Sequence, residues 1–310
     1  MTKRSKLTLL IISILIVIGV LFIKLYQKEL VAYIASGNFG LKDKKDVKLN
    51  KNIQWYDDYY AVKYIPPTTI AIIEPRYWQI NINYLILGEN KALLFDSGPG
   101  ERDIMNVVKS ITKLPTTVMA SHFHFDHIGN MDKYSGITLL EEQLIDGEYK
   151  NNIFLPTSDA FIGKYEGRKT PELLVDKLIK HGDSIALGNR NLTAFYTPGH
   201  GNSSVSLFDK KLNFLFTGDF FYKGKLMASN DIPNTNIDKY RKSITLMLNV
   251  INDQTSIYGA HNNIFEKDGT LSSLKLDVKD LKDLQIFLQD KQQNSPSITE
   301  KVNDNFSVVY

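Results

Sequence analysis

The chain has 310 residues, 43% hydrophobic and 23% charged, so it can bury a sizeable core and is not a disordered segment. It contains no cysteine, which excludes disulfides and thiolate metal sites and leaves histidine and carboxylate as the available ligand chemistry. The net charge of +3 is unevenly spread: residues 1–51 hold ten Lys/Arg against three acids, and the rest of the chain has an excess of four acids, which disfavours tracking a nucleic-acid backbone.

The N-terminus reads MTKRSK and then LTLLIISILIVIGVLFI, an uncharged stretch from Leu7 to Ile23. At about 1.5 Å per residue it nearly crosses a hydrocarbon core of roughly 30 Å, and Leu25 and Tyr26 extend it while Lys24 can snorkel. A buried core helix would show a polar face, and this stretch offers only Thr8 and Ser13. A cleaved signal peptide would carry a small-x-small triplet just after the apolar region, whereas Ala35-Ser36-Gly37 lies well beyond it. The expectation is a single transmembrane helix over residues 7–26. Lys3, Arg4 and Lys6 favour a cytoplasmic N-terminus and place the remainder on the outer side of the cell membrane. Residues 1–27 are then the cytoplasmic tip and anchor, 28–51 a basic linker and 52–310 the folded domain.

Within that domain TTIAIIE (68–74), INYLILG (82–88) and KALLFDSG (91–98) read as short strands separated by the turn signals Pro75-Arg76 and Gly88-Glu89-Asn90. Ile104, Val107, Val108 and Ile111 share one face of a helix over 101–112, and Pro115 ends it before a strand over Thr117–Ala120. That strand leads into SHFHFDH, where His122, His124, Asp126 and His127 fall within six positions of a chain with six histidines. His122 and His124 point to one side by two-residue alternation, and Asp126 and His127 can curl back toward them. A cluster of this density directly after a strand indicates a metal site of nitrogen and oxygen donors.

Three later β-runs end in the same kind of residue: Leu192–Tyr196 runs into TPGH with His200, NFLFTGD ends at Asp219, and TSIYGAH ends at His261. Strands that finish at small-residue turns can aim several side chains at one rim. The sixth histidine, His181, follows a pattern that reads as helical and is expected at a surface or helix end. Residues 271–292 are amphipathic and read as a late helix.

The motifs FDSG (95–98), HFHFDH (122–127), TPGH (197–200), TGD (217–219) and GAH (259–261), in this order, resemble those of the metallo-β-lactamase superfamily over roughly residues 68–265. The resemblance implies an α/β fold, a four-layer αββα sandwich with its metal site at one edge between the sheets. It implies two Zn2+ ions, with iron or manganese as alternatives. His122, His124 and His200 would hold the first ion, Asp126, His127 and His261 the second, and Asp219 would bridge them, while Asp96 would orient the histidine loop. Such a pair of ions can lower the pKa of water to about 7 and generate a hydroxide nucleophile, making the reaction a metal-assisted hydrolysis in which Asp219 and Asp126 are the catalytic carboxylates.

His127 aligns the chain with the branch of glyoxalase II-like thioester hydrolases, lactonases and all-histidine lactamases. The expected substrate is a small ester, thioester, lactone or lactam. Trp78, with Tyr77 in the turn PRYWQ (75–79), is a candidate flap over an apolar substrate, and Tyr222 is a candidate donor to its carbonyl. Alternatives are a phosphodiesterase or nuclease, which would need a basic mouth, and a redox or non-catalytic member of the superfamily. No nucleic-acid partner is expected.

Overall fold

The computed structural model describes residues 12–21, 47–229, 233–292 and 297–310. Residues 12–21 are helical (α1), and their isoleucines, leucines and valines are exposed. The rest of the expected span, residues 7–11 and 22–26, lies outside the described residues, as does most of the expected linker. No described helix is long and apolar enough to cross a membrane.

The domain begins with a ten-stranded sheet: β1 (Gln54–Trp55), β2 (Ala61–Ile65), β3 (Thr69–Glu74), β4 (Asn81–Leu87), β5 (Ala92–Phe95), β6 (Thr116–Met119), β7 (Ile137–Leu140), β8 (Gly147–Lys150), β9 (Ile153–Pro156) and β10 (Leu173–Ile179). Its strand order is β1-β2-β3-β4-β5-β6-β7-β10-β9-β8. The first five strands form an antiparallel meander, and β5, β6, β7 and β10 run parallel.

The near-continuous apolar runs in β3, β4 and β5 are those of strands covered on both faces. Ile70, Ile72, Leu85, Ala92 and Leu94 enter one core cluster, while Ala71, Ile73, Ile82, Tyr84, Ile86, Leu93 and Phe95 alternate into another. Truncating one of these fully buried side chains, as in Leu85→Ala, costs about 2–5 kcal/mol.

The outer cluster is closed by α2 (Ile104–Ile111), capped by the Asp103 side chain accepting from Met105 N and burying Ile104, Val107 and Val108. The single turns α3 (Phe125–Ile128) and α4 (Ser158–Phe161) add Phe125, Ile128, Ala160 and Phe161 to the same layer.

A second sheet contains β11 (Ser184–Ala186), β12 (Asn191–Tyr196), β13 (Val205–Asp209), β14 (Phe214–Gly218), β16 (Ser256–Gly259) and β17 (Lys275–Asp277), in the order β11-β12-β13-β14-β16-β17. Between β14 and β16 the chain forms β15 (Gly224–Met227), which joins β18 (Thr299–Lys301) and β19 (Phe306–Val309) in a small third sheet.

The inner face of the second sheet contributes Leu192, Ala194, Val205, Leu207 and Phe216 to the middle cluster. Its outer face packs Phe208, Leu215 and Ile257 against α5 (Ile237–Val250) and α6 (Val278–Leu288), through Tyr240, Ile244, Met247, Leu281 and Leu284. Three apolar layers thus separate helix, sheet, sheet and helix.

Three elements differ from the sequence reading. The stretch before His181 is strand β10, parallel to β7; Leu173, Val175 and Ile179 are buried, but Lys177 is exposed beside a register irregularity, which interrupts the two-residue alternation. Residues 271–292 are shared between β17 and a shorter α6. The chain also enters the domain before residue 52: Val47 and Leu49 pack on the middle cluster, and Leu271 N donates to the Lys48 carbonyl at 2.9 Å.

Candidate metal centre

The residues that follow β6 in the first sheet, and β12, β14 and β16 in the second, meet at one rim. There His122, His124, His200 and Asp219 form one group of potential ligands and Asp126, His127 and His261 another, each with its ligand atoms within 4.8 Å of one another. All seven residues are buried.

Local chemistry fixes the first loop. Asp96, at the end of β5, takes a left-handed φ of 65°, which a short polar side chain tolerates. Its Oδ1 accepts from Ser121 N at 2.6 Å, and its Oδ2 lies 3.0 Å from His127 Nδ1. His127 therefore turns Nε2 toward the rim. Ser121 Oγ lies 3.1 Å from His122 Nδ1, which leaves His122 Nε2 buried without a hydrogen-bond partner.

Gly218 brings the Asp219 turn against this loop: its φ is 53°, and a Cβ there would come within 2.2 Å of Ser121 Cβ. Gln143 braces the His200 loop by donating from Nε2 to the carbonyls of Ala120 and Ser203, both at 3.1 Å.

The donor atoms converge. His200 Nε2 lies 3.2 Å from His124 Nδ1 and 3.4 Å from Asp219 Oδ2. His261 Nε2 lies 3.1 Å from Asp219 Oδ1 and 3.3 Å from Asp126 Oδ2, and His127 Nε2 lies 3.4 Å and 3.5 Å from Asp126 Oδ2 and Asp219 Oδ1. Yet Nε2 of His122, His127 and His261 and Oδ1 of Asp219 have no aligned hydrogen bond. Buried polar atoms left orphaned are costly, and here they share one focus, as ligands of a cation do.

Electrostatics agree. Burial pushes His124 down to about 3, helped by the His200 ring, and leaves it a neutral nitrogen donor. For His261 burial opposes the charge, but Asp219 and Asp126 lift its pKa to about 9. Burial works against both carboxylates, which the His127 and His261 imidazoles nevertheless hold well below the ordinary range.

The other sequence-predicted residues are held by internal contacts. The turn at 75–79 is not a free flap: Tyr77 Oη and Trp78 Nε1 donate to Glu166 Oε1 at 2.8 Å and 2.9 Å, and Tyr77 is buried. The Glu166 carboxylate, 3% exposed, also receives Arg168 Nε at 2.9 Å. A carboxylate so buried needs this full set of donors. Arg168 lies over the Phe125 ring at 5.7 Å, between ligands His124 and Asp126.

The Tyr222 ring is 5.1 Å from His261, but its hydroxyl donates to the Lys225 carbonyl, so the expected contact to a substrate carbonyl is replaced by an internal bond. His181 is an exposed residue after β10 whose Nδ1 accepts from Tyr196 N. Sequence reasoning missed Asn81, whose Nδ2 donates to Asp126 O at 2.7 Å and Asp126 Oδ2 at 3.1 Å, and it missed Gln143 and Glu166. The near-continuous apolar run INYLIL marks the strand that Asn81 begins; nothing in the sequence marks the other two.

With this geometry in place, the profile of the Metallo-beta-lactamase superfamily matches residues 78–250. The chain belongs to the metallo-β-lactamase superfamily. It is 25% identical over 186 residues to the acyl-coenzyme A thioesterase MBLAC2 of Gallus gallus, covering 54% of this chain and 66% of that one. It is 27% identical over 159 residues to the hydroxyacylglutathione hydrolase of Buchnera aphidicola subsp. Schizaphis graminum, covering 51% and 52%. The chain thus spans less than two thirds of either curated relative. A metallo-β-lactamase from Pontibacter korlensis shares the fold, with TM-score 0.54 and 14% identity over 75% of this chain and all of that one.

Proposed function

We propose that this superfamily member is a metal-dependent hydrolase of small acyl compounds, with thioesters as the leading class. The observation that carries the reading is the set of orphaned donor atoms on His122, His127, His261 and Asp219, converging at a buried rim fed by both sheets. That donor set is nitrogen and oxygen only and suits two zinc ions, one on His122, His124 and His200, the other on Asp126, His127 and His261, with Asp219 between them. Bound there, divalent ions supply Lewis acidity toward an acyl oxygen and acidify water to a pKa of about 7.

The chain's own residues do the rest. Asp96 holds the His127 tautomer through Nδ1 and keeps Nε2 aimed inward. Asp126 is the rim carboxylate able to take a proton from the attacking water and deliver it to the departing group, while Asp219 lies between the two ligand groups. Trp78, half-buried and held by Glu166, is the aromatic side chain offered to an acyl chain, with the buried Tyr77 behind it. The names of the two curated relatives, both thioester hydrolases, support the choice of thioesters.

Residues 7–26 are read as a single membrane anchor with the hydrolase on the extracytoplasmic side, on the strength of the uncharged Leu7–Ile23 stretch behind Lys3, Arg4 and Lys6.

The test is metal content together with a substrate panel. Protein stripped by chelator and reloaded separately with zinc, manganese or iron is assayed on acyl-coenzyme A, an acylglutathione, a lactone, a β-lactam and bis(p-nitrophenyl) phosphate. Thioester turnover that returns with two zinc ions per chain supports the reading. Preferential cleavage of the phosphodiester, or thioester turnover by the stripped protein, overturns it.

A further inference from the structure

Asn81 stands where the two halves of the site touch. It opens β4, forms an isolated antiparallel bridge with His261, and is followed by Ile82, whose N donates to the Ala260 carbonyl at 2.7 Å. Its side chain is 1% exposed. Through Nδ2 it grips Asp126 twice, at the backbone carbonyl (2.7 Å) and at Oδ2 (3.1 Å). Oδ2 is the same oxygen that faces His127 Nε2 at 3.4 Å and His261 Nε2 at 3.3 Å. Asn81 Oδ1 is buried with no hydrogen-bond partner, so the amide is held in this orientation by what its nitrogen donates to.

Asn81 itself does not reach the other group, whose His122 and His200 are held by Ser121 and Thr235. Among the described residues, Asn81 makes no hydrogen bond to His122, His124, His200 or Asp219. The side-chain amide therefore fixes both the carboxylate and the backbone carbonyl of Asp126, while the backbone of the same residue bridges to His261 in that ligand group.

We propose that Asn81 is a positioning residue that sets the ion affinity of the Asp126, His127 and His261 group selectively, leaving the His122, His124 and His200 group untouched. The physical reason is directional. A carboxylate free to rotate loses part of its binding energy in being ordered when an ion arrives, and Asn81 has already ordered it with Oδ2 turned to the two imidazoles. The inference rests on the two-ion reading above and concerns binding, so hydrolysis is not its readout.

The experiment is a stepwise titration of the stripped full-length chain with zinc against a chromophoric chelator, repeated for Asn81→Ala and Asn81→Asp. The second variant keeps the side-chain shape and removes the donor. Thermal melts of the stripped proteins accompany each titration. Expected are two binding steps in the wild type, with one step weakened about 10–100-fold in both variants and the other unchanged.

Equal weakening of both steps, or no change in either while the wild type shows two, overturns the role of Asn81. A single step in the wild type overturns the two-ion reading and this inference with it, so the wild-type stoichiometry separates the two failures. If Asn81→Ala fails to melt cooperatively, Asn81→Asp alone decides by the same criteria.

Discussion

Asp96 Oδ2 lies 3.0 Å from His127 Nδ1, and both side chains are buried. Because Asp96 Oδ1 also accepts from Ser121 N, one carboxylate positions the start of the ligand loop and the ring at its end. Asp96→Ala should lower metal affinity about 10–100-fold, the usual cost of losing such support. Asp96→Asn, which can still accept a hydrogen bond, should lose less. Chelator competition on both variants, with circular dichroism to verify folding, gives the comparison; equal affinities in all three proteins would remove Asp96 from the site.

Asp219 is the residue within 3.5 Å of imidazoles from both ligand groups. Asp219→Ala should therefore reduce metal content and turnover together rather than one alone. Elemental analysis and a thioester assay on one preparation measure both, and full activity in the variant refutes the bridging role.

Trp78 can be followed by its own fluorescence, since the chain has two tryptophans and Trp55 is 40% exposed. In a Trp55→Phe background, Glu166→Ala removes the acceptor of the Trp78 indole N–H and should shift its emission to the red and increase quenching by acrylamide. Trp78→Ala should raise KM for long acyl chains more than it lowers kcat, the pattern of lost uniform binding. An unchanged emission spectrum, or a KM insensitive to chain length, contradicts this role.

Glu74 gives a pH signature outside the metal centre. Burial pushes its carboxyl up from 4.5 to about 8, although Tyr59 Oη and Asn83 Nδ2 donate to it and pull the other way. Between those values the folded chain keeps a proton that the unfolded chain has lost. The contribution is full below about pH 4.5 and is lost as pH rises through about 8, so stability declines across that window. Glu74→Gln retains an acceptor for Tyr59 and should flatten the decline. Urea midpoints at pH 5, 7 and 9, at constant metal loading, test this; parallel slopes for the two proteins refute it.

The anchor is checked by fusing alkaline phosphatase, active only outside the cytoplasm, after Lys51 in a bacterial host. Activity in the membrane fraction is expected. A well-expressed inactive fusion reverses the orientation, and a soluble processed product replaces the anchor with a cleaved leader.

The rim was legible in the sequence because ligand chemistry is local. Each of His122, His124, Asp126, His127, His200, Asp219 and His261 sits within a few residues of a β-run, and strand ends at small-residue turns aim side chains in a few directions only. The αββα layering was legible through the family motifs and through the apolar runs of β3, β4 and β5. What could not be read depends on contacts between distant segments. Glu166 meets Tyr77 and Trp78 across nearly ninety positions, and no spacing rule joins them. Gln143 ties Ala120 to Ser203 for the same reason. Strand β10 was hidden because an exposed Lys177 interrupts its alternation at a register irregularity.

The ligand side chains hang from both sheets, so ions held at the rim bind the folded chain and not the dispersed one. Occupancy then enters the folding equilibrium: at a free metal concentration one hundred times the dissociation constant, a single site adds about 2.7 kcal/mol. That is a large share of the 5–15 kcal/mol by which domains typically hold together. The abundance of this protein, and not its turnover alone, should therefore follow the metal supply of its compartment, with scarcity removing the molecule through unfolding and proteolysis.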